Sequence, residues 1–193
     1  MYVAFDGKLF SPLNLRFERT TENCFRNWNL SKLLFTGSGP IVQQFAETAD
    51  FDIDVLKRLL VDASRRMVLC RLYPGFRSDI YKKLIDKQVY TMLLELYESG
   101  TGNMRSNDFS LKPLLTYGKQ RNVRFYCTSQ QETTVAFSQY VTSLRVWREG
   151  TVPMGALTIE SVVALYFACS LIADSREELD ELMETYSALY SEK

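Results

Sequence analysis

The chemistry open to this 193-residue chain is limited first by an omission, because it contains no histidine. Ser-His and Cys-His dyads, imidazole metal ligands and the commonest general base are excluded, so any reaction must draw on carboxylates, Lys, Tyr, Thr or Cys. Three polar loops concentrate the remaining candidates: Tyr73-Pro-Gly75, Gly100-Thr-Gly-Asn103 and Thr128-Ser-Gln-Gln131. A Gly-x-Gly turn lets the backbone approach a ligand and opens a helix N-terminus onto it. The same loop also has a structural reading, in which Gly100 and Gly102 supply positive-φ geometry and Asn103 caps the following helix. Asp79, Glu95, Glu98 and Asp108 fall near these loops, but nothing in the sequence pairs any two of them as acid and base or as metal ligands. Cys24, Cys70, Cys127 and Cys169 have no C-x-x-C spacing, and the last three lie in apolar runs. They are expected to be reduced core thiols in a reducing compartment. No catalytic residue, metal ligand or cofactor is nominated.

The elements that must carry these loops follow from periodicity. Apolar runs at Met67–Tyr73, Val89–Tyr97 and Asn122–Cys127 read as strands, and each of the three loops follows one of them. Amphipathic stretches at Asp54–Ala63, Ser78–Lys87 and Asn107–Gln120 read as helices, the last with Pro113 in an early turn. Strands alternating with helices of this length imply a parallel sheet, hence an α/β, three-layer fold with a small parallel sheet flanked by helices. After a less clear stretch to Glu149 come a short strand at Thr151-Val152 and two terminal helices, Thr158–Ile172 and Glu177–Ser191. The first of these is apolar almost all round and is expected in the core or an interface, whereas the second is amphipathic. Tyr2–Phe5 and Lys8–Phe10 around Asp6-Gly7 read as a hairpin. Thr36-Gly-Ser-Gly-Pro40 is the best linker candidate. Residues 1–40 are therefore expected to be an N-terminal arm and linker, and 41–193 the compact domain.

Composition limits the partners. The 23 basic and 23 acidic side chains cancel. No Lys/Arg run exceeds two residues, which argues against nucleic acid. No apolar stretch reaches the roughly 20 residues needed to cross a bilayer, so no membrane partner is expected. The N-terminus has no signal-peptide zones, and the cytoplasm is the expected location. Aromatic residues make up 13% of the chain, and Trp28, Phe137, Tyr140, Trp147, Tyr186 and Tyr190 would suit a protein interface.

The order of motifs resembles the smaller, C-terminal domain of bacterial L-asparaginases, closest to the cytoplasmic type. Tyr73-Pro-Gly75, Ser99-Gly-Thr-Gly-Asn103, Thr128-Ser-Gln130 and Gly155-Ala-Leu-Thr-Ile-Glu160 follow in the family's sequence, with Tyr140 and Gly150 between the last two. The resemblance implies that Asn103, Ser129 and Gln130 lie at a ligand site for L-asparagine or L-aspartate, with Gly100 and Gly102 forming its loop. This chain departs from the family where Gln131 replaces a Cys, Tyr97 a basic residue, Thr133 and Thr134 glycines, and Ala156 an Asp. The family's threonine nucleophiles belong to its larger domain, and Thr36-Gly-Ser-Gly39 lacks the second threonine of that loop. Three functions stay open: a non-catalytic asparaginase-like subunit that assembles with itself as a homo-oligomer or with a larger chain, an amino-acid-binding regulatory module, and one half of a split amidohydrolase completed in trans.

Overall fold

The computed structural model describes residues 53–131 and 135–191, together with five short strands before them. Those strands are β1 (Val3–Phe5), β2 (Lys8–Phe10), β3 (Leu15–Phe17), β4 (Phe25–Asn27) and β5 (Phe35–Thr36). The hairpin expected around Asp6-Gly7 is present, with Val3 opposite Phe10, and β5 pairs with β2. A second antiparallel pair, β3 with β4, was not evident from the sequence. The linker candidate after Thr36 lies outside the described residues.

The main body is a four-stranded sheet in the order β6-β7-β8-β9, comprising Met67–Arg71, Thr91–Leu96, Arg124–Ser129 and Thr151–Pro153. All three pairings are parallel. Helices α1 (Ile53–Arg66), α2 (Ser78–Ile85), α3 (Lys112–Lys119), α4 (Val141–Arg148), α5 (Ile159–Ile172) and α6 (Arg176–Ser191) flank it. The expected α/β, three-layer architecture is therefore the observed one.

Alternation along the strands builds two cores. Cys70, Met92, Leu94, Leu96, Phe125 and Cys127 project to one side, where Ile85 of α2, Leu114 and Leu115 of α3 and Val146 of α4 meet them. Leu93 and Tyr126 project to the other, against Ala63 of α1, Val162, Tyr166 and Cys169 of α5, and Met183 of α6. All six residues of β7 are buried, as a central parallel strand covered on both faces requires.

Helix starts show local chemistry at work. Thr158 Oγ1 accepts the Ser161 N–H at 3.3 Å and caps α5. Two side chains close the start of α6: Ser175 Oγ accepts the Glu178 N–H at 3.1 Å, and Glu178 Oε2 reaches back to accept the Asp174 N–H at 2.7 Å. The third helix corrects its sequence reading, since it begins at Lys112 and not at Asn107. Asn107 Oδ1 instead accepts the Phe109 N–H at 3.1 Å, so the polar segment closes as a turn. α4 fills the stretch before Glu149, where periodicity predicts no clear element.

Candidate functional site

In parallel sheets, ligands bind at the C-terminal ends of the strands, and the three polar loops all lie there. The loop after β7 turns sharply. A one-turn 3-10 helix, Glu98–Gly100, places Ser99 at φ 55° and Gly100 at φ +76°. The turn is closed by Tyr97 N–H to Thr101 O at 3.1 Å and by Thr101 Oγ1 donating to Glu98 O at 2.9 Å. Ser99 Oγ donates to Gln139 Oε1 at 2.8 Å. A Cβ on Gly100 would meet Val135 Cγ1 at 2.6 Å, so glycine is required there by both backbone and space. Gly102 has no positive φ, contrary to the turn reading; its role is close packing, since a Cβ would stand 3.1 Å from Leu72 Cδ1.

Asn103 is exposed, and both ends of its amide are engaged by its own loop. Oδ1 accepts the Arg105 N–H at 3.2 Å, and Nδ2 donates to Phe109 O at 3.1 Å. It does not cap α3, whose first turn has no side-chain cap. Its carbonyl accepts the Leu111 N–H at 2.8 Å, and the 103–111 segment folds on itself.

The loop after β8 has the same character. Ser129 is buried, and its Oγ accepts the Gln131 N–H at 3.1 Å. Gln130 reaches across the sheet, its Nε2 donating to Leu72 O at 2.6 Å and to Glu95 O at 3.0 Å. One amide thereby ties the ends of β6, β7 and β8 together. The structure brings Gly102 and Gln130 to the same residue, Leu72, while the Asn103 side chain turns into its own loop.

The four carboxylates near the loops do not form pairs with one another. Arg77 holds Asp79 in two contacts, at 3.0 and 2.6 Å, and this guanidinium keeps the Asp79 carboxyl below the usual range. Glu98 and Asp108 are exposed. Glu95 is the exception, a carboxylate only 2% exposed in the central strand, with Arg71 Nε 3.1 Å from its Oε2. Its register neighbour Thr128 is fully buried, and Thr128 Oγ1 has no hydrogen-bond partner among the described residues. Arg71, Glu95 and Thr128 therefore form a polar row across β6, β7 and β8, a feature that the sequence reading missed. The signal was present: Arg71 and Glu95 each interrupt an apolar run five residues into their strands.

No group of three His, Cys, Asp or Glu able to hold a metal occurs among the described residues. Cys70, Cys127 and Cys169 are free and buried, and burial pushes the Cys70 and Cys127 thiols up to about 12. At neutral pH such thiols stay protonated and are poor nucleophiles. Two depressions lie at the opposite, N-terminal ends of the strands. One of about 240 Å³ is lined by Arg66, Tyr90, Tyr166 and Arg176. The other, of about 430 Å³, is lined by Lys119, Arg124, Gly150 and Asp180. Neither contains Asn103, Ser129 or Gln130.

No protein-family model matches the sequence, and no curated protein sequence does. Solved structures match well. L-asparaginase I from Vibrio cholerae superposes with a TM-score of 0.63 at 18% identity, over 95% of this chain and 55% of that one. The thermostable L-asparaginase from Thermococcus kodakarensis gives 0.66 at 18% identity, over 95% and 54%. The chain thus has an L-asparaginase-like α/β fold and spans about half the length of these two proteins.

Proposed function

We propose that this chain is a non-catalytic, asparaginase-like domain that works by assembling with a further protein chain. The observation that carries the reading is the commitment of the polar groups at the strand ends. Asn103 spends both ends of its amide on its own loop, and Gln130 spends both amide hydrogens on the carbonyls of Leu72 and Glu95. Groups tied to the backbone in this way serve to order loops. To meet a substrate through those amide hydrogens, Gln130 would first have to release the carbonyl of Leu72, a buried residue.

Contact surface, by contrast, is ample. Val141 is 67% exposed and Trp147 52%, both on α4, and Leu59 and Val61 of α1 are also exposed. Trp and Arg are the residue types that most often anchor protein interfaces, and α4 presents both. The native particle tests this reading. Gentle isolation followed by light scattering is expected to give a mass above the 22.3 kDa of one chain. A lone monomer at every concentration would contradict it.

A further inference from the structure

Two helices on one side of the sheet and one on the other carry opposite charge, although α1, on the side of α6, is itself basic. On one side, α3 and α4 contain Lys112, Lys119, Arg145 and Arg148 and no carboxylate. On the other, α6 contains Glu177, Glu178, Asp180, Glu181 and Glu184 with Arg176 as its one cation. Exposure organises these charges into stripes. Val141, Arg145 and Arg148 are exposed at i, i+4 and i+7 on α4, and Glu177, Glu181 and Glu184 are exposed at the same intervals on α6. Residues so spaced share one face of a helix.

Part of the acidic stripe is used internally, because Glu184 binds Arg124 and Asp180 accepts from Tyr126. Arg145, Arg148, Glu177 and Glu181 make no ion pair among the described residues. α4 packs into one core through Val146 and α6 into the other through Met183, so the sheet separates the helices. Their charges therefore remain available to something outside the molecule.

We infer that the outer face of α4 in one copy of this chain docks on the outer face of α6 in a second copy, with Arg145 and Arg148 against Glu177 and Glu181. This rests on the assembly reading above and names its partner and surface. Charge complementarity selects the occupant: both stripes are carried by one chain, at matching helical spacing. The 23 cations and 23 anions give copies no net repulsion to overcome. Trp147 and Val141 add apolar area beside the arginines, where neighbouring ion pairs would be partly desolvated.

Sedimentation velocity on the whole chain tests the contact at low salt and at about 0.5 M NaCl, where the screening length falls below roughly 5 Å. The expected mass exceeds 22.3 kDa at low salt, rises with concentration and returns toward 22.3 kDa at high salt. R145E/R148E and E177K/E181K should each weaken self-association at least tenfold while melting as cooperatively as the parent. Mixed in equal amounts, they should associate again, because each then meets the opposite charge. Should a reversal variant fold poorly, R145A/R148A and E177Q/E181Q make the same comparison with less charge change.

A parent chain that stays monomeric at low salt would overturn the inference. So would association indifferent to salt and to both variants, or a mixture of folded reversal variants that remains monomeric. If the native particle holds a different chain while the purified protein stays monomeric, this contact fails and the assembly reading stands. A lone monomer in both experiments overturns both.

Discussion

The Gln130 side chain holds three strand ends together. Its amide supplies two hydrogens to the carbonyls of Leu72 and Glu95, and its own N–H bonds Leu96 O at 2.7 Å. Gln130→Ala removes both side-chain donors and is expected to cost about 1–3 kcal/mol, measured by urea unfolding. An unchanged midpoint would show that these bonds hold nothing. The buried thiols give a second expectation at this scale. Burial raises Cys70 and Cys127 from 9.0 to about 12, so each proton is held more tightly in the folded chain than in the unfolded one. Such groups contribute fully below the unfolded value, and their contribution is lost as pH rises through the folded value. Stability should therefore fall as pH rises from 9 toward 12. Alkylation at pH 8 mapped by mass spectrometry should leave Cys70 and Cys127 unmodified until the chain unfolds. Rapid native labelling of either would contradict their burial. The position of Gln130 at a strand end was legible in the sequence, but its partners were not. They belong to two other strands, whose register is fixed only when the sheet forms.

At the level of elements, the strands were legible as short apolar runs: β7 and β8 are almost wholly buried, and β6, at the sheet edge, keeps an apolar run though only Cys70 in it is buried. α4 was not. Val141, Thr142 and Val146 are β-branched, Tyr140 supplies no capping side chain, and the helix is held by burial of Ser143 and Val146. The polar row of Arg71, Glu95 and Thr128 was hidden for a related reason: two lone charges in two runs become neighbours only through a parallel register. Close packing between α3 and β8 gives the test at this scale. Gly118 lies inside α3, where alanine would ordinarily favour the helix by about 1 kcal/mol. A Cβ there would stand 2.3 Å from Phe125 Cζ, on a ring that is itself buried. Gly118→Ala is therefore expected to lower stability by about 1–3 kcal/mol, with overpacking outweighing propensity. A higher melting temperature would mean that Phe125 can move aside freely.

For the whole molecule, composition concealed what the fold separates. Equal numbers of cations and anions read as a neutral surface, whereas α3 and α4 concentrate one sign and α6 the other on opposite sides of the sheet. The asparaginase-like fold was legible in the order of its turn motifs, because glycines such as Gly100 are fixed by backbone and packing. The aromatic residues expected at an interface divide: Trp147 and Tyr140 are exposed, Phe137 and Tyr186 are half-buried, and Trp28 and Tyr190 lie outside the described side chains. The central claim is that the polar groups at the strand ends order this domain and bind no amino-acid substrate. Its most direct test is the melting temperature of the purified chain with saturating L-asparagine or L-aspartate, read beside ammonia release from L-asparagine. No shift and no release are expected. A ligand at about 100 times its dissociation constant would add ~2.7 kcal/mol of stability. A rise in melting temperature of that size, or ammonia produced by the chain alone, would contradict the account.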